Sequence, residues 1–389
     1  MLYLDHNATT PLAPHLYEVI SPYLAGEFGN PSSGYSLGKR SRAAVENARR
    51  NVARLLGAAE AETIFTSGGT ESIFAAIVGS YLAAPEKKHL IISSVEHPAV
   101  KEAANFLSKS AQVKISTIPV NERGQIELGL IEKSITAETL LVSVMLANNE
   151  TGIINPIEEI VRIGHAAGVI VHTDAVQAVG KIAINFSELG VDLLSLSGHK
   201  FGAPKGIGAL LVRTSARWEP VVRGGGQEHG RRGGTESVPL LVGLGVAAAY
   251  RIQYLAGSDS RKLAAVRDRF ENQLKLKLPD ISINGEGLLR LPNTCSVAIP
   301  GIISSELIAE FDKRGIFVSG GSACKATTIE PSQVLLAMGR SVNQCLSTVR
   351  ISFGPEHEIV DAERVAQEFL EVTTQLRENS QKKIGAMLT

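Results

Sequence analysis

The sequence predicts an α/β protein whose large domain is a mostly parallel sheet sandwiched by helices, followed by a smaller α+β domain. Two observations support this fold class. Between residues 64 and 212, short runs of branched apolar residues alternate with segments of helical periodicity, the pattern of repeated βαβ units. After residue 278 the chain changes to a new series of short apolar runs separated by helical segments. A chain of 389 residues is long enough for two such domains.

The predicted parts are an N-terminal arm, a large domain and a small domain. The arm covers residues 1–14 and packs with the small domain, the large domain covers 15–257, and the small domain covers 258–389. Residues 3–14 are polar and interrupted by prolines, which predicts an ordered arm without a helix.

The elements follow in order from periodicity and punctuation. In the first part, helices are predicted over 14–24 and 38–56, and strands begin at Ile64 and His89 and cover 113–119, 140–146, 169–173, 192–196 and 208–212. Residues 238–278 are predicted to be largely helical. In the last part, strands over 295–299, 317–319 and 349–353 alternate with helices over 304–314, 331–338 and 357–378.

Lys200 lies where one predicted strand ends in Ser-Gly-His-Lys, and Asp174 ends the strand before it. A lysine held between backbone segments and partly buried can act as a nucleophile. Pyridoxal 5′-phosphate (PLP) requires a lysine that forms an imine and an aspartate that keeps the pyridine nitrogen protonated. The alternatives are a surface lysine in a glycine-rich turn and a structural ion pair. Neither explains the histidines and glycines around both residues.

Other polar residues lie at strand exits of the same kind. The turn Thr-Ser-Gly-Gly-Thr-Glu carries Gly69 and Thr70 into a helix, and its N–H groups and hydroxyls predict a phosphate site, with an ordinary helix cap at Thr70 as the alternative. His97 precedes a proline and is either catalytic or structural. Asn149, in Asn-Asn-Glu-Thr-Gly, offers an amide to the same cleft.

Three later features complete the set of candidates. The glycine-rich segment 223–236 contains three arginines and Thr235, which favours an ordered loop at a subunit or domain junction over a flexible linker. Cys324 lies in a small-residue loop beside Lys325, which can stabilise a thiolate, whereas Cys295 and Cys345 fit buried, inert thiols. Arg350 is a candidate to bind a substrate carboxylate, with a surface arginine on an edge strand as the alternative.

Composition limits the function classes. Lysine and arginine total 39, as do aspartate and glutamate, so the formal net charge is zero and nothing favours binding to nucleic acid or an anionic membrane. We recognise neither a signal peptide nor an uninterrupted apolar run of about 18 residues, so we expect a soluble cytoplasmic protein. Three cysteines are too few for a disulfide framework, and reduced thiols are expected.

Taken together, these motifs resemble the cysteine desulfurases of the class V aminotransferase family, the NifS/IscS-like group of fold-type I PLP enzymes. The resemblance covers nearly the whole chain. The motifs that carry it are Tyr-Leu-Asp-His-Asn-Ala-Thr-Thr-Pro, Thr-Ser-Gly-Gly-Thr-Glu-Ser, Glu-His-Pro-Ala-Val, Asn-Asn-Glu-Thr-Gly, His-Thr-Asp-Ala-Val-Gln, Ser-Gly-His-Lys and Gly-Ser-Ala-Cys. It implies a large domain with a seven-stranded sheet.

The resemblance also implies roles for individual residues. Lys200 would bind PLP as an imine, Asp174 would pair with its ring nitrogen, Gln177 would hydrogen-bond its ring hydroxyl, and His97 would stack on the ring and move protons. The remaining cofactor contacts would come from Gly69, Thr70, Asn149, Ser197, His199 and, from the neighbouring subunit of a homodimer, Thr235. The substrate would meet Asn149, Arg350 and Asn30.

The implied reaction converts L-cysteine to L-alanine and leaves a persulfide on Cys324. A sulfur-acceptor protein would then take the sulfur, either an iron–sulfur scaffold or a sulfur carrier, for iron–sulfur cluster, thio-cofactor or tRNA biosynthesis; transfer of a cluster held on Cys324 is a further option. The alternatives are a selenocysteine lyase, another class V aminotransferase and a non-catalytic sulfur-relay scaffold. Intact Lys200, Asp174, His97 and Cys324 count against the last.

Overall fold

The computed structural model describes residues 1–320 and 330–387. The strands are β1 (Leu2–Tyr3), β2 (Thr63–Thr66), β3 (His89–Ser93), β4 (Lys114–Ile118), β5 (Thr139–Ser143), β6 (Ile170–Asp174), β7 (Leu193–Ser197), β8 (Gly208–Val212), β9 (Ser282–Ile283), β10 (Thr294–Ala298), β11 (Ile316–Phe317), β12 (Ser319–Gly320) and β13 (Thr348–Ser352). The helices are α1 (Leu16–Leu24), α2 (Ser36–Leu56), α3 (Gly69–Ala83), α4 (Pro98–Ala111), α5 (Leu128–Ser134), α6 (Ile157–Ala166), α7 (Phe186–Leu189), α8 (Val238–Ala256), α9 (Asp259–Lys277), α10 (Ser304–Lys313), α11 (Gln333–Ala337), α12 (Val342–Leu346) and α13 (Ile359–Met387).

A seven-stranded sheet forms the centre of the protein, in the order β2-β8-β7-β6-β5-β3-β4. Strand β8 runs antiparallel to both of its neighbours, and the other pairs are parallel. Every residue of β5 and β7 is buried, as expected for strands covered by helices on both faces. The predicted α/β fold is confirmed. Because β2, β3, β5, β6 and β7 point the same way, their carboxyl ends meet at one edge of the sheet.

Helix α8 covers part of this sheet and packs against α1 and α2. A Cβ atom on Gly245 of α8 would lie 2.6 Å from Ala48 Cα on α2, so the absence of a side chain lets the two helices touch. Although α8 is long and apolar enough to cross a membrane, 56% of its most apolar window is buried inside the protein. These contacts are those of a core helix.

A second sheet of four antiparallel strands has the order β12-β13-β10-β9. Helices α9, α10 and α13 contribute to a separate hydrophobic cluster beneath it. Four phenylalanines at its centre contact one another edge-on or tilted: Phe270, Phe311, Phe353 and Phe369. The division at residue 257 stays a prediction, which this separate cluster supports.

The N-terminal arm joins the two sheets. Strand β1 pairs with β11, and Leu2 and Leu4 are buried in the hydrophobic cluster of the four-stranded sheet. Further along the arm, Ala13 N–H donates to the carbonyl oxygen of Gly202, which follows β7. Residues 5–10 therefore lie between the two parts of the molecule.

Two predicted elements differ from the observed ones. The strand expected over 317–319 is divided, because the chain changes partner at Val318, pairing with β1 before it and with β13 after it. The long helical segment 238–278 is two helices, α8 and α9, separated at Gly257 and Ser258. Hydrophobic periodicity does not reveal either change of partner or direction.

Candidate active site

The carboxyl edge of the seven-stranded sheet contains a cavity of about 410 Å³. Nine of the residues predicted from the sequence line it: Gly69, Thr70, His97, Asn149, Asp174, Gln177, Ser197, His199 and Lys200. They come from loops that follow five different strands. The topology of the sheet therefore brings together side chains that lie up to 131 positions apart, between Gly69 and Lys200.

One end of the cavity is formed by the N-terminus of α3. Gly68 precedes the helix with a φ of 151°, and among the residues that the structure describes no side chain caps the first turn. The backbone at Gly69 lies close to the loop that follows β6, because a Cβ atom on Gly69 would be 2.9 Å from Val176 Cγ2. Exposed N–H groups and the positive end of the helix dipole make this position suited to an anion. The hydroxyls of Thr70 and Ser197 line the same end.

Asp174 ends β6 inside the cavity and is buried, accepting a hydrogen bond from Val176 N–H at 2.9 Å. Burial raises the pKa of this carboxyl group, while the neighbouring His97 and Lys200 act in the opposite direction. A cation placed against Asp174 would hold it as a carboxylate, because opposite charges in a dry site stabilise each other.

His97 caps α4 through its own ring. Its Nδ1 atom accepts a hydrogen bond from Ala99 N–H at 3.1 Å, so a neutral ring carries its proton on Nε2. Burial lowers the pKa of His97, with Asp174 opposing the effect and Lys200 adding to it. The ring is therefore neutral near pH 7 and can stack on a planar ligand or pass a proton through Nε2.

The amine of Lys200 lies at the opposite wall of the cavity, against the N-terminal arm. Its Nζ atom donates to the carbonyl oxygens of Asn7 at 2.7 Å and Ala8 at 2.8 Å. The Asn7 carbonyl oxygen also accepts from Gln177 Nε2 at 2.9 Å. These contacts anchor the amine at a fixed place in the cavity.

Arg350 lies in β13, which is an inner strand of the four-stranded sheet, and is 2% exposed. The alternative of a surface arginine on an edge strand is therefore wrong. Its guanidinium donates to Asp5 Oδ1 at 2.6 Å and to the carbonyl oxygen of Asn149 at 3.0 Å. Because Asn149 lines the cavity, Arg350 is one contact away from it.

The other predicted residues lie elsewhere. Thr235 is exposed and lines a smaller neighbouring cavity of about 140 Å³, which shares Ser67 and Gly206 with the main one. Asn30 is exposed and does not line the main cavity. Cys324 lies outside the described residues. Cys295 and Cys345 are buried, and burial raises the pKa of both thiols, so they are protonated and unreactive as expected.

The loop that carries Thr235 is ordered by a buried ion pair. Glu228 accepts two hydrogen bonds from Arg49 at 2.8 Å each and one from Phe65 N–H at 2.9 Å. Glu228 and His229 both have left-handed backbone, with φ of 49° and 57°, which costs on the order of 1 to 3 kcal/mol each in residues with a side chain. The ion pair holds this strained turn against β2 and α2, so the segment is no flexible linker.

Sequence reasoning missed Asp5, Asn7 and Lys181, which contact the predicted residues directly. Asp5 and Asn7 belong to a motif that was noted without a role for either residue. The signal for Lys181 was its place four residues after Gln177 within an otherwise apolar segment. A polar pair at that spacing inside an apolar segment could have been recognised.

This fold and this site define a class of α/β proteins, the fold-type I group, in which one sheet edge presents a lysine, an aspartate and a helix N-terminus to one cavity. Residues 2–365 match the aminotransferase class-V family, and the chain belongs to that family. It is 44% identical over 377 residues to "Cysteine desulfurase" of Nostoc sp. strain PCC 7120, covering 97% of this chain and 94% of the relative.

Solved structures show the same likeness. The "NifS-like protein" superposes with a TM-score of 0.89 at 33% identity, covering 96% of this chain and 99% of that one. "SspA in complex with cysteine" has a TM-score of 0.80 at 35% identity, covering 91% of this chain and 99% of that one. These are relatives of the same fold and nearly the same length.

Proposed function

We propose that the protein is a PLP-dependent cysteine desulfurase that converts L-cysteine to L-alanine and leaves the sulfur on Cys324. The observation that carries the proposal is the meeting of Lys200, Asp174 and the uncapped N-terminus of α3 in one cavity. The similarity to cysteine desulfurases over 97% of the chain supports the substrate.

The residues present fit PLP. The N–H groups at the start of α3, with the hydroxyls of Thr70 and Ser197, suit its phosphate, and the carboxylate of Asp174 suits its ring nitrogen. His199 faces the same cavity, and burial and Lys200 lower its pKa to about 4, so it offers a neutral ring to the phosphate. When bound, PLP supplies a conjugated ring that accepts the electron pair of a breaking substrate bond.

Lys200 and His97 would move the protons. Lys200 Nζ lies in the cavity and, as an amine, would take the α-proton of cysteine and return a proton to another atom of the substrate. His97 keeps Nδ1 occupied by Ala99 N–H, so Nε2 is the atom that would exchange a proton with the substrate side. Arg350 would bind the substrate carboxylate bidentately after Asp5 gives up its place.

Sulfur leaves through Cys324. Its thiolate would attack the sulfur of the substrate cysteine, forming a sulfur–sulfur bond while the carbon–sulfur bond breaks and its electron pair stays with the substrate carbon. A proton from Lys200 or His97 then completes alanine. The persulfide would be transferred to a sulfur-acceptor protein, which we propose is an iron–sulfur scaffold or a sulfur carrier of the cytoplasm.

We also propose a homodimer, in which Thr235 reaches the phosphate of the neighbouring subunit and Asn30 reaches its substrate. Both residues are exposed and lie outside their own main cavity. The apolar side chains exposed in segment 12–35 support the interface: Leu12, Tyr17, Leu24, Phe28 and Tyr35 are each at least 45% exposed.

The experiment mixes the purified, PLP-loaded protein with L-cysteine and a reductant and follows alanine and sulfide together. We expect equal amounts of both from the wild type, and neither from Cys324→Ser, which should keep the cofactor colour. A wild type that binds PLP but makes neither product overturns the proposal. Parallel assays with L-selenocysteine, and with an amino acid and a 2-oxo acid, then test the lyase and aminotransferase alternatives.

A further inference from the structure

A second lysine lies behind the cavity and has no part in the reaction proposed above. Lys181 is only 5% exposed, and its Nζ atom donates to Asn7 Oδ1 at 2.7 Å and to Gln177 Oε1 at 2.8 Å. Both acceptors are uncharged amide oxygens. A buried amine is therefore held here by two polar residues of the site itself.

The position is electrostatically unfavourable for a charged lysine. Burial is the largest cause that holds the pKa of Lys181 well below its ordinary value, and the nearby cations Lys200, Arg350 and Arg251 add to it, with Asp5 opposing them. The Lys181 amine donates one hydrogen bond to each amide oxygen. These hydrogen bonds offset part of the cost of burying it, and both acceptors belong to residues of the site.

The contacts of Lys181 fix the orientation of two amides. Because the amine donates to both, Gln177 must turn its oxygen toward Lys181 and its Nε2 atom away from it, and Nε2 donates to the Asn7 carbonyl oxygen at 2.9 Å. Asn7 is oriented the same way, with Oδ1 accepting from Lys181 and from Asn293 Nδ2 at 3.1 Å. Its Nδ2 atom donates to Thr294 Oγ1 at 2.9 Å.

One backbone carbonyl connects this arrangement with the reacting amine. The Asn7 carbonyl oxygen accepts from both Gln177 Nε2 and Lys200 Nζ, at 2.9 and 2.7 Å. Lys181 is therefore connected with Lys200 through Asn7, whose side chain contacts Lys181 and whose carbonyl oxygen contacts Lys200. Lys181 also contacts Gln177 directly, and Gln177 is a donor that lines the cavity.

We propose that Lys181 is a positioning residue, which holds Gln177 as a hydrogen-bond donor to the cavity and fixes the carbonyl that orients the amine of Lys200. The proposal rests on the proposed function, in which Gln177 hydrogen-bonds the ring hydroxyl of PLP. A hydrogen-bond donor to the ring hydroxyl oxygen of PLP favours the deprotonated form of the bound cofactor. Without Lys181 the Gln177 amide loses the hydrogen bond at Oε1, and the contact of Nε2 with the Asn7 carbonyl oxygen holds its orientation less firmly, so that form is less favoured.

The test is a pH titration of the visible absorbance of the PLP-loaded protein. For Lys181→Met we expect the midpoint to rise by about one pH unit, the size of one lost hydrogen bond to a charged group. Gln177→Leu should raise it by a similar amount, and the double variant should add nothing further, because both changes remove the same donor. An unchanged midpoint in Lys181→Met, or additive shifts, overturns the proposal.

Arg251 provides the matched control for charge. It is also 5% exposed and acts on Lys181 through space, but its Nε atom donates to the carbonyl oxygen of Phe201 and not to either amide. Arg251→Met should leave the midpoint within about 0.3 units. A shift as large as that of Lys181→Met would assign the effect to charge alone and overturn the positioning role.

Two further comparisons keep the result decisive. Lys181→Ala removes the same donor without adding bulk and replaces Lys181→Met if that variant does not fold, as judged by its thermal unfolding. If the wild type develops no cofactor colour with PLP, the proposed function fails. If the wild type does so and the midpoint of the folded Lys181 variant is unchanged, only the positioning role fails.

Discussion

At the scale of single residues, the protein places several ionisable groups where water cannot reach them. His172 in β6 is completely buried between two serines, with Nδ1 2.8 Å from Ser143 Oγ and Nε2 3.0 Å from Ser195 Oγ. Burial lowers the pKa of this imidazole to about 3. The ring is neutral in the folded protein and supports the centre of the sheet just below the cavity.

This burial predicts a pH dependence of stability. Since the pKa of His172 is lower in the folded state than in the unfolded state, unfolded chains bind the proton first as the pH falls below about 6.5. The free energy of unfolding should therefore fall by about 1.4 kcal/mol per pH unit from this residue, down to pH 3. Denaturant unfolding of apoprotein between pH 7.5 and 5 measures the slope.

His172→Gln should reduce that slope by the contribution of one bound proton, about 1.4 kcal/mol per pH unit. It should also lower the free energy of unfolding at pH 7.5, because packing is lost. The control is His15→Asn, at an exposed position with a φ of 58° that asparagine tolerates, and its slope should equal that of the wild type. Equal slopes for His172→Gln and wild type would contradict the assigned protonation.

The residue types of the site could be predicted from the sequence because each lies directly after a run of apolar residues. Strand exits of a parallel sheet converge, so Lys200, Asp174 and His97 could be assigned to one cavity without coordinates. Asn7 could not, because its place depends on a strand pairing between residues 2–3 and 316–317. Two-residue strands carry too little periodicity to be recognised.

At the scale of elements, the segment between β8 and α8 owes its shape to one buried carboxylate. The Glu228 carboxylate accepts hydrogen bonds from Arg49 and from Phe65 N–H, and these contacts hold Glu228 and His229 in left-handed backbone. Glycine content alone suggested a spacer or an ordered loop, and could not decide between them. Whether the segment is ordered depends on Arg49 in α2, which lies 179 positions before Glu228.

Glu228→Gln should lower the free energy of unfolding by about 3 to 5 kcal/mol, since it removes the buried carboxylate that pairs with the Arg49 guanidinium and leaves that group only the half-exposed Glu46 as a charged partner. The matched control is Glu46→Gln, which removes the half-exposed carboxylate that contacts the same arginine and should cost less than about 1 kcal/mol. Urea unfolding of both variants gives the comparison. Equal losses would show that burial does not decide the value of these contacts.

At the scale of the whole molecule, the fold class and the order of elements were predictable from the sequence, whereas the homodimer is implied only by the resemblance and stays a prediction. The sequence showed apolar residues at 12, 17, 24, 28 and 35 without showing that they remain exposed in one chain. Their exposure depends on which faces of α1 and α2 the core helix α8 covers. Periodicity identifies an apolar face and leaves open whether the same chain or a second copy covers it.

The proposed dimer predicts that charge on this surface separates the subunits. Tyr17→Asp combined with Phe28→Asp should convert a dimer into monomers at micromolar concentration, because two carboxylates would have to be buried in the interface. Leu289→Asp, at a residue 73% exposed elsewhere, should leave the mass unchanged. Sedimentation velocity distinguishes the two, and a monomeric wild type would contradict the proposal.

The position of Asn7 determines how late in translation the site around Lys200 can form. This residue, among the first to be synthesised, is held by Asn293, Thr294 and Ser352, which are synthesised at least 286 positions later. A nascent chain cannot fix the carbonyl that orients Lys200 until residue 352 has left the exit tunnel. The arrangement of Asn7 around Lys200 therefore forms only when translation is nearly complete, and chains that stop before residue 352 lack it.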